Sequence, residues 1–391
     1  MQHIDDNERR SRLAVRHLLA APQGTPEAVA EHLIALHATD PATVYLSIAA
    51  RTRSVDVATI ERALYADHTL VRVLCMRRTV FVIPVDLLPT IHAGVTAAVA
   101  ARERKKLVQL LESGGVATDG ARWLRTAEQA TMRAINELGE AAAAQLATKV
   151  PALRATFMMG DGTKKWHGEQ GVSTRVLWEL ANSGRLARGR PRGTWVSNQY
   201  RWAPIDAWSP GGIEPVDAAA ARAELVRRWL RSFGPGTRAD LRWWTGWTAA
   251  HVDAAVAALD TEPVALDGGL TGIVLADDVG PAPVAPPSVA LLPGLDPTAM
   301  GWTDRAWYLD QHGPALFDAY GNAGPTVWVE GRIVGGWTQL PTGEIVYRLL
   351  EPVPKRSRAA LDGEAERLRE WIGDTRVKPR FRTPLERELS A

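Results

Sequence analysis

"GVSTRVLWELANSGRLARGRPRGTWVSNQYRWAP", residues 171–204, is the stretch from which the fold can be read. Ser173 is placed to cap a helix, and Val176, Leu177 and Leu180 fall on one face of it. Gly184 follows the last turn, where a left-handed glycine closes a helix. "RLARG" and "TWVSNQYRWA" then read as two strands joined by the basic link "RPRG". Upstream, "LGEAAAAQLATKVP" supplies one more short helix and a loop.

Two helices and a hairpin with an arginine-rich tip make the plan of a winged helix, and that plan recurs. Near the start, "RSRLAVRHLL", "TPEAVAEHLIAL", "DPATVYLSIAAR" and "VDVATIERALYA" read as helices, the second with Thr25 as cap and Pro26 at its first position. "TLVRVLCMRRTVFVIP" then gives two β-branched strands meeting near Arg77 and Arg78. A fainter copy runs through "AARAELVRRWLRSFG", "TRADLRWWTGW" and "TAAHVDAAVAAL" to the hairpin candidate "GGLTGIVLADDV". The copies share shape rather than letters. After the proline-rich link "GPAPVAPP", "PTVWVEGRIVGGW" sets Glu330-Gly331 between two alternating runs, a hairpin signal. "GEIVYRLLEPV" adds a third strand and "RAALDGEAERLREWIG" closes as an amphipathic helix.

The expected architecture is therefore α+β: tandem winged-helix modules around a concave channel, then a small C-terminal antiparallel sheet and a terminal helix. The expected divisions are 1–100, 101–210 (linker helices and the second module), 211–280 and 281–391.

The 391 residues suffice for several cores. No apolar run reaches membrane-spanning length, and "MQHIDDNERRSR" lacks the apolar stretch of a signal peptide. Cys75 is the one cysteine, which excludes an internal disulfide and a cysteine-based zinc cluster. His251 and His312 have no partners at metal-ligand spacing, so no metal and no cofactor is expected. These features point to the cytoplasm. Net charge is only +2, but its distribution is uneven. Residues 154–201 carry nine Lys/Arg against three Asp/Glu and residues 72–106 seven against two, whereas 206–278 carry six against eleven. One positive face on a near-neutral chain suits a phosphate backbone; solvated charged helices are the plainer reading.

"LHATDPATVYL", residues 36–46, holds a histidine, a threonine and an aspartate within four positions. Asp40 before Pro41 is a helix start, with the aspartate at the cap and proline at the first position. His37 would end the preceding helix, where a cation meets the helix dipole favourably. The other reading is chemical, and it depends on family.

The segments "ALHATDPATVYLSIAAR", "RWLRSFGPGTRADLRWWTGW" and "LLPGLDPTAMGW…GPTVWVEGRIVGGW" together resemble the tandem winged-helix family of bacterial DNA glycosylases to which AlkZ and YcaQ belong. The resemblance implies winged helices around a channel for duplex DNA and hydrolysis of bulky or cross-linked alkylated purines. It also implies a catalytic motif, Gln-x-Gln or Gln-x-Asp, at the position of His37-Ala38-Thr39. Neither glutamine is present. An N7-alkylated purine is already cationic and leaves readily, so the protein needs mainly to hold a water and stabilise an oxocarbenium-like sugar. A histidine near its ordinary pKa can position that water and accept its proton. Thr39 offers a second hydroxyl contact, and Asp40 negative charge.

For contact with double-stranded DNA the candidates are Arg77 and Arg78, Arg175, the four arginines Arg185, Arg188, Arg190 and Arg192, and the loop lysines Lys164 and Lys165. Trp166 could stack on a base; "RWWTGW" at 242–247 reads as core. The expectation is a monomeric DNA glycosylase without an obligate protein partner. Loss of both glutamines favours a non-catalytic DNA binder or regulator as the alternative; a genotoxin-sequestering protein is a third, against which the basic hairpins argue.

Overall fold

The computed structural model describes residues 1–22, 24–159 and 168–391. The expectations on Lys164, Lys165 and Trp166 fall outside these residues. The fold is mixed α+β, with several small sheets set among helices.

One element order recurs three times: helix, short strand, helices, hairpin. In the first unit the helices are Pro26–His32, Pro41–Ala49 and Val57–Tyr65. Strand Leu36–His37 pairs with Val80–Pro84, which pairs with Leu70–Leu74. In the second, helices Gly120–Leu138, Ala143–Lys149 and Val172–Asn182 accompany the sheet of Ala141–Ala142, Tyr200–Pro204 and Leu186–Pro191. In the third, helices Ala218–Phe233, Arg238–Thr245 and Ala249–Ala257 precede the hairpin Thr261–Leu266 with Thr271–Leu275. There the short strand shrinks to one bridge, Gly236 to Ile273.

Four local expectations need correction. Ser173 does not cap its helix, which starts at Val172 with Gly171 at the N-cap. The helix expected over 25–36 stops at His32, because Ile34 takes φ +65° and the chain turns extended to pair Leu36 with Val82. "RPRG" is not a tight link: the strand runs on through Pro191, and residues 192–199 make the connection. Its anchor is Trp195, 5% exposed, whose ring lies 5.2 Å from Tyr45 and 5.8 Å from Trp371. In the third hairpin the first strand is "TEPVAL", and Gly268 and Gly269 form the turn at φ +71° and +74°. Beyond these, His3–Ile4 pairs in parallel with Ala265–Leu266 and completes the third unit's sheet.

The C-terminal sheet runs Val289–Leu292, Thr326–Val329, Arg332–Gln339, Ile345–Leu349, all antiparallel. Glu330 and Gly331 both take positive φ, +49° and +78°, as a two-residue turn between right-twisted strands requires. Helix Lys355–Ile372 packs on this sheet. One apolar core joins the first unit, the third and the C-terminal region; another lies between the first unit's other face and the C-terminal sheet; the second unit has its own. The link 280–287 runs along helix Asp6–Arg16, where Arg12 donates to the carbonyls of Asp278 and Gly280, and Ser11 to that of Pro283. Inside, Arg51 and Asp296, both without exposure, form a two-pronged ion pair that fastens the first unit to the C-terminal region.

Candidate active site

Strand Leu36–His37 sets the ring of His37 on the opposite face of the sheet from Leu36. Residues paired across an antiparallel ladder share a face. His37 therefore stands with Phe81 and Val73, and Leu36 with Val82 and Arg72. His37 is 7% exposed, its ring 4.9 Å from that of Phe81. The backbone N–H of Thr39 donates to His37 Nδ1 at 3.4 Å, which puts the ring proton of the neutral form on Nε2. Burial, then the Arg77 guanidinium, pushes the imidazole pKa down to about 3. The near-neutral titration expected from sequence is thus replaced by a ring that stays uncharged at physiological pH, because its surroundings are apolar and its nearest charge is positive.

Asp40 has backbone φ −97° and ψ 118°, and its Oδ1 accepts the N–H of Ala42 at 3.1 Å. It is the N-cap of Pro41–Ala49. Its Oδ2 accepts the backbone N–H of Arg380 at 2.9 Å. Burial pushes this carboxyl upward, against the lowering by those two N–H groups. The Arg380 guanidinium donates to the carbonyl of Thr39 at 3.3 Å and to Asn198 at 3.4 Å. Three distant segments meet here: the first unit's helix start, the second unit's 192–199 connection and the C-terminal stretch 376–382.

The expected DNA-contact residues disperse. Arg77 and Arg78 make the first hairpin's turn, both at positive φ, +53° and +59°. Arg77 lies over Trp243 at 4.3 Å, a ring that Arg305 also approaches at 5.0 Å. Burial, then Arg305, lowers the Arg77 pKa to about 10. Arg78 is exposed and pairs with Glu103 at 3.2 Å. Arg175 sits over Phe157 at 5.4 Å. Arg185 approaches Glu128 at 4.0 Å. Arg188 is enclosed by Tyr200, Trp202 and Trp178, and Arg190 bonds Glu61 at 2.5 Å and covers Tyr65. Arg192 is exposed. The second hairpin's arginines are thus split, Arg188 and Arg190 turned into the seam with the first unit and Arg192 outward. Among the described residues no helix is long and apolar enough to cross a membrane, and no group of three His, Cys, Asp or Glu could hold a metal.

A family model described as DNA glycosylase AlkZ-like matches residues 30–371. The chain belongs to this family. The solved structure of Streptomyces sahachiroi DNA glycosylase AlkZ is similar, with a TM-score of 0.71 at 19% identity, over 97% of this chain and 100% of that one. At such identity the likeness speaks for the fold. Curated protein sequences give no match. In this AlkZ-like chain the sequence reading missed Arg72, Asn198, Tyr200, Trp243, Arg305 and Arg380 around the site. Only Arg380 carried a signal, the basic run "RVKPRFR" at 376–382. The others gather through packing.

Proposed function

We propose that the protein is a monofunctional DNA glycosylase that hydrolyses the N-glycosidic bond of N7-alkylated purines, bulky or cross-linked adducts included, in double-stranded DNA. Membership of the AlkZ-like family over residues 30–371 carries this reading. In it the three repeated units are winged helices lining a channel for the duplex, with divisions at 1–100, 101–210, 211–280 and 281–391, and the exposed Arg78 and Arg192 reach phosphates.

His37 and Thr39 hold the attacking water. A neutral imidazole with Nε2–H is a hydrogen-bonding group rather than a strong base, as the amide of a glutamine is. That suffices when the departing base is cationic, since bond breaking then needs little push from the nucleophile. After attack the protonated anomeric hydroxyl is acidic enough to release its proton to a weak base or to solvent. Asp40, with both oxygens engaged, supplies negative charge and holds the backbone of Arg380, whose guanidinium donates to the carbonyl of Thr39.

The test is base release from duplex DNA carrying N7-alkylguanine, native protein against His37→Ala, with the free base identified by chromatography. Release above the spontaneous rate that falls in the variant, at unchanged DNA affinity, supports the assignment. The second reading, a non-catalytic DNA binder, is favoured by one observation: neither motif position carries glutamine. Tight binding without release, on bulky adducts as well, would establish it instead.

A further inference from the structure

Arg72 occupies the middle of strand Leu70–Leu74 and is 1% exposed. Its Nε, Nη1 and Nη2 are buried, and none has a hydrogen-bond partner among the described residues. Five N–H donors on a charge that arginine does not shed are thereby withdrawn from water. The hydroxyls of Tyr45, Tyr65 and Tyr200 lie within electrostatic reach of it and are buried too; those of Tyr45 and Tyr65 face each other, and none has another partner among the described residues. Arg188 brings a second guanidinium: it lies 4.6 Å from the centre of the Tyr200 ring that Arg72 approaches at 5.1 Å.

The neighbouring carboxylates are committed elsewhere. Both oxygens of Asp40 accept backbone N–H groups, and Glu61 Oε2 takes Arg190. Aromatic faces offset part of the charge but satisfy no N–H. A cluster of donors with two positive charges, set among aromatic rings, is complementary to an anion that offers several acceptor lone pairs.

We propose that Arg72, Arg188 and the hydroxyls of Tyr45, Tyr65 and Tyr200 form a binding site for a phosphate-type oxyanion, at the seam between the first unit and the second unit's hairpin. The ligand chemistry has two sources, free inorganic phosphate and a DNA phosphodiester. The hairpin's pairing is interrupted between Arg188 and Pro191, so the strand that carries Tyr200 is loosely laddered where it covers Arg72. The site does not depend on base hydrolysis, and base release is not its readout.

The experiment follows the thermal midpoint of the whole chain against inorganic phosphate at constant ionic strength, set with sodium gluconate. Native protein should show a saturable rise that Arg72→Met lacks; methionine fills the volume without the charge. Tyr65→Phe and Tyr200→Phe each remove one hydroxyl and should weaken the apparent phosphate affinity roughly tenfold, which keeps the test open if Arg72→Met fails to fold. Phosphate that competes with unmodified duplex in native protein, but not in Arg72→Met, identifies the phosphodiester as occupant. Phosphate that stabilises without competing identifies the free ion. A midpoint indifferent to phosphate, or one raised equally in native protein and in every variant, overturns the proposal and leaves buried water around an uncompensated charge.

Discussion

The carboxylate of Asp40 accepts the backbone N–H of Arg380 at 2.9 Å, from a residue 340 positions away in the chain. Its other oxygen caps the helix that begins at Pro41. One side chain thus ends a loop and fastens the C-terminal segment beside the candidate site.

Asp40→Ala should destabilise the fold by about 2 kcal/mol, the sum of a lost cap and a lost buried hydrogen bond. Asp40→Asn can keep the cap while turning an N–H toward Arg380, so its effect should be about half. Urea unfolding of the two variants measures this. An asparagine variant of native stability that no longer releases base would show that the Asp40 charge serves the chemistry as well as the fold.

His37→Gln should keep base release within about tenfold of native, because a glutamine amide can still hold water, whereas His37→Ala should lose about 10²-fold. Activity should be level from pH 5.5 to 8, since burial and Arg77 hold the imidazole pKa down at about 3. A rising limb centred near pH 6.5 that disappears in His37→Gln would refute the neutral-ring account.

His17 shares this behaviour: burial, then Arg51, pushes it down to about 3. Unfolded histidines bind a proton below about pH 6.5. Unfolding between there and pH 3 therefore takes up one proton per ring. Stability is complete above pH 6.5 and falls as pH drops, by ~1.4 kcal/mol per unit for each ring. Urea midpoints at pH 7.5 and 5.5 should differ accordingly, and His37→Gln should reduce the difference. Equal midpoints would contradict the buried neutral state.

Arg51 and Asp296 offer a sharper test of the long-range ties. Burial pushes the Asp296 carboxyl up, but Arg51 and Ser47 outweigh it and hold it below the usual range. Asp296→Asn leaves a buried guanidinium uncompensated and should cost about 3–5 kcal/mol. The double variant Arg51→Met with Asp296→Leu should be much less affected. Denaturant unfolding of single and double variants separates the two, and additive losses would mean that packing, not charge pairing, sets the effect.

Removing the second hairpin's anchor with Trp195→Ala should cost about 3–5 kcal/mol through the cavity it leaves against Tyr45 and Trp371. Tryptophan emission and unfolding midpoint report it together. A loss below about 1 kcal/mol would mean that the 192–199 connection rests on the first unit without being held there.

What the sequence made legible was local. The Asp40-Pro41 helix start and the Glu330-Gly331 turn rest on neighbouring residues, and both formed as expected. The early stop of the helix before His37 was not legible, because a strand 44 positions later draws Leu36 and His37 into a sheet. Nor was the neutral state of His37, since nothing in "LHATD" announces Phe81 and Arg77 beside the ring. Arginine content marked the second hairpin as basic, but orientation decides what that charge meets, and Arg188 and Arg190 turn inward while Arg192 does not.

The pairing of His3–Ile4 with Ala265–Leu266 also sets a timetable for synthesis. At ~5–20 residues per second, the ribosome takes roughly 13–50 s to make the partner strand after the first one has emerged. Until then the opening residues have no sheet to join, and Ile4 has no apolar neighbours from Val264, Leu266 and Val274. Strand His3–Ile4 therefore waits unpaired while the residues between it and Ala265 are made.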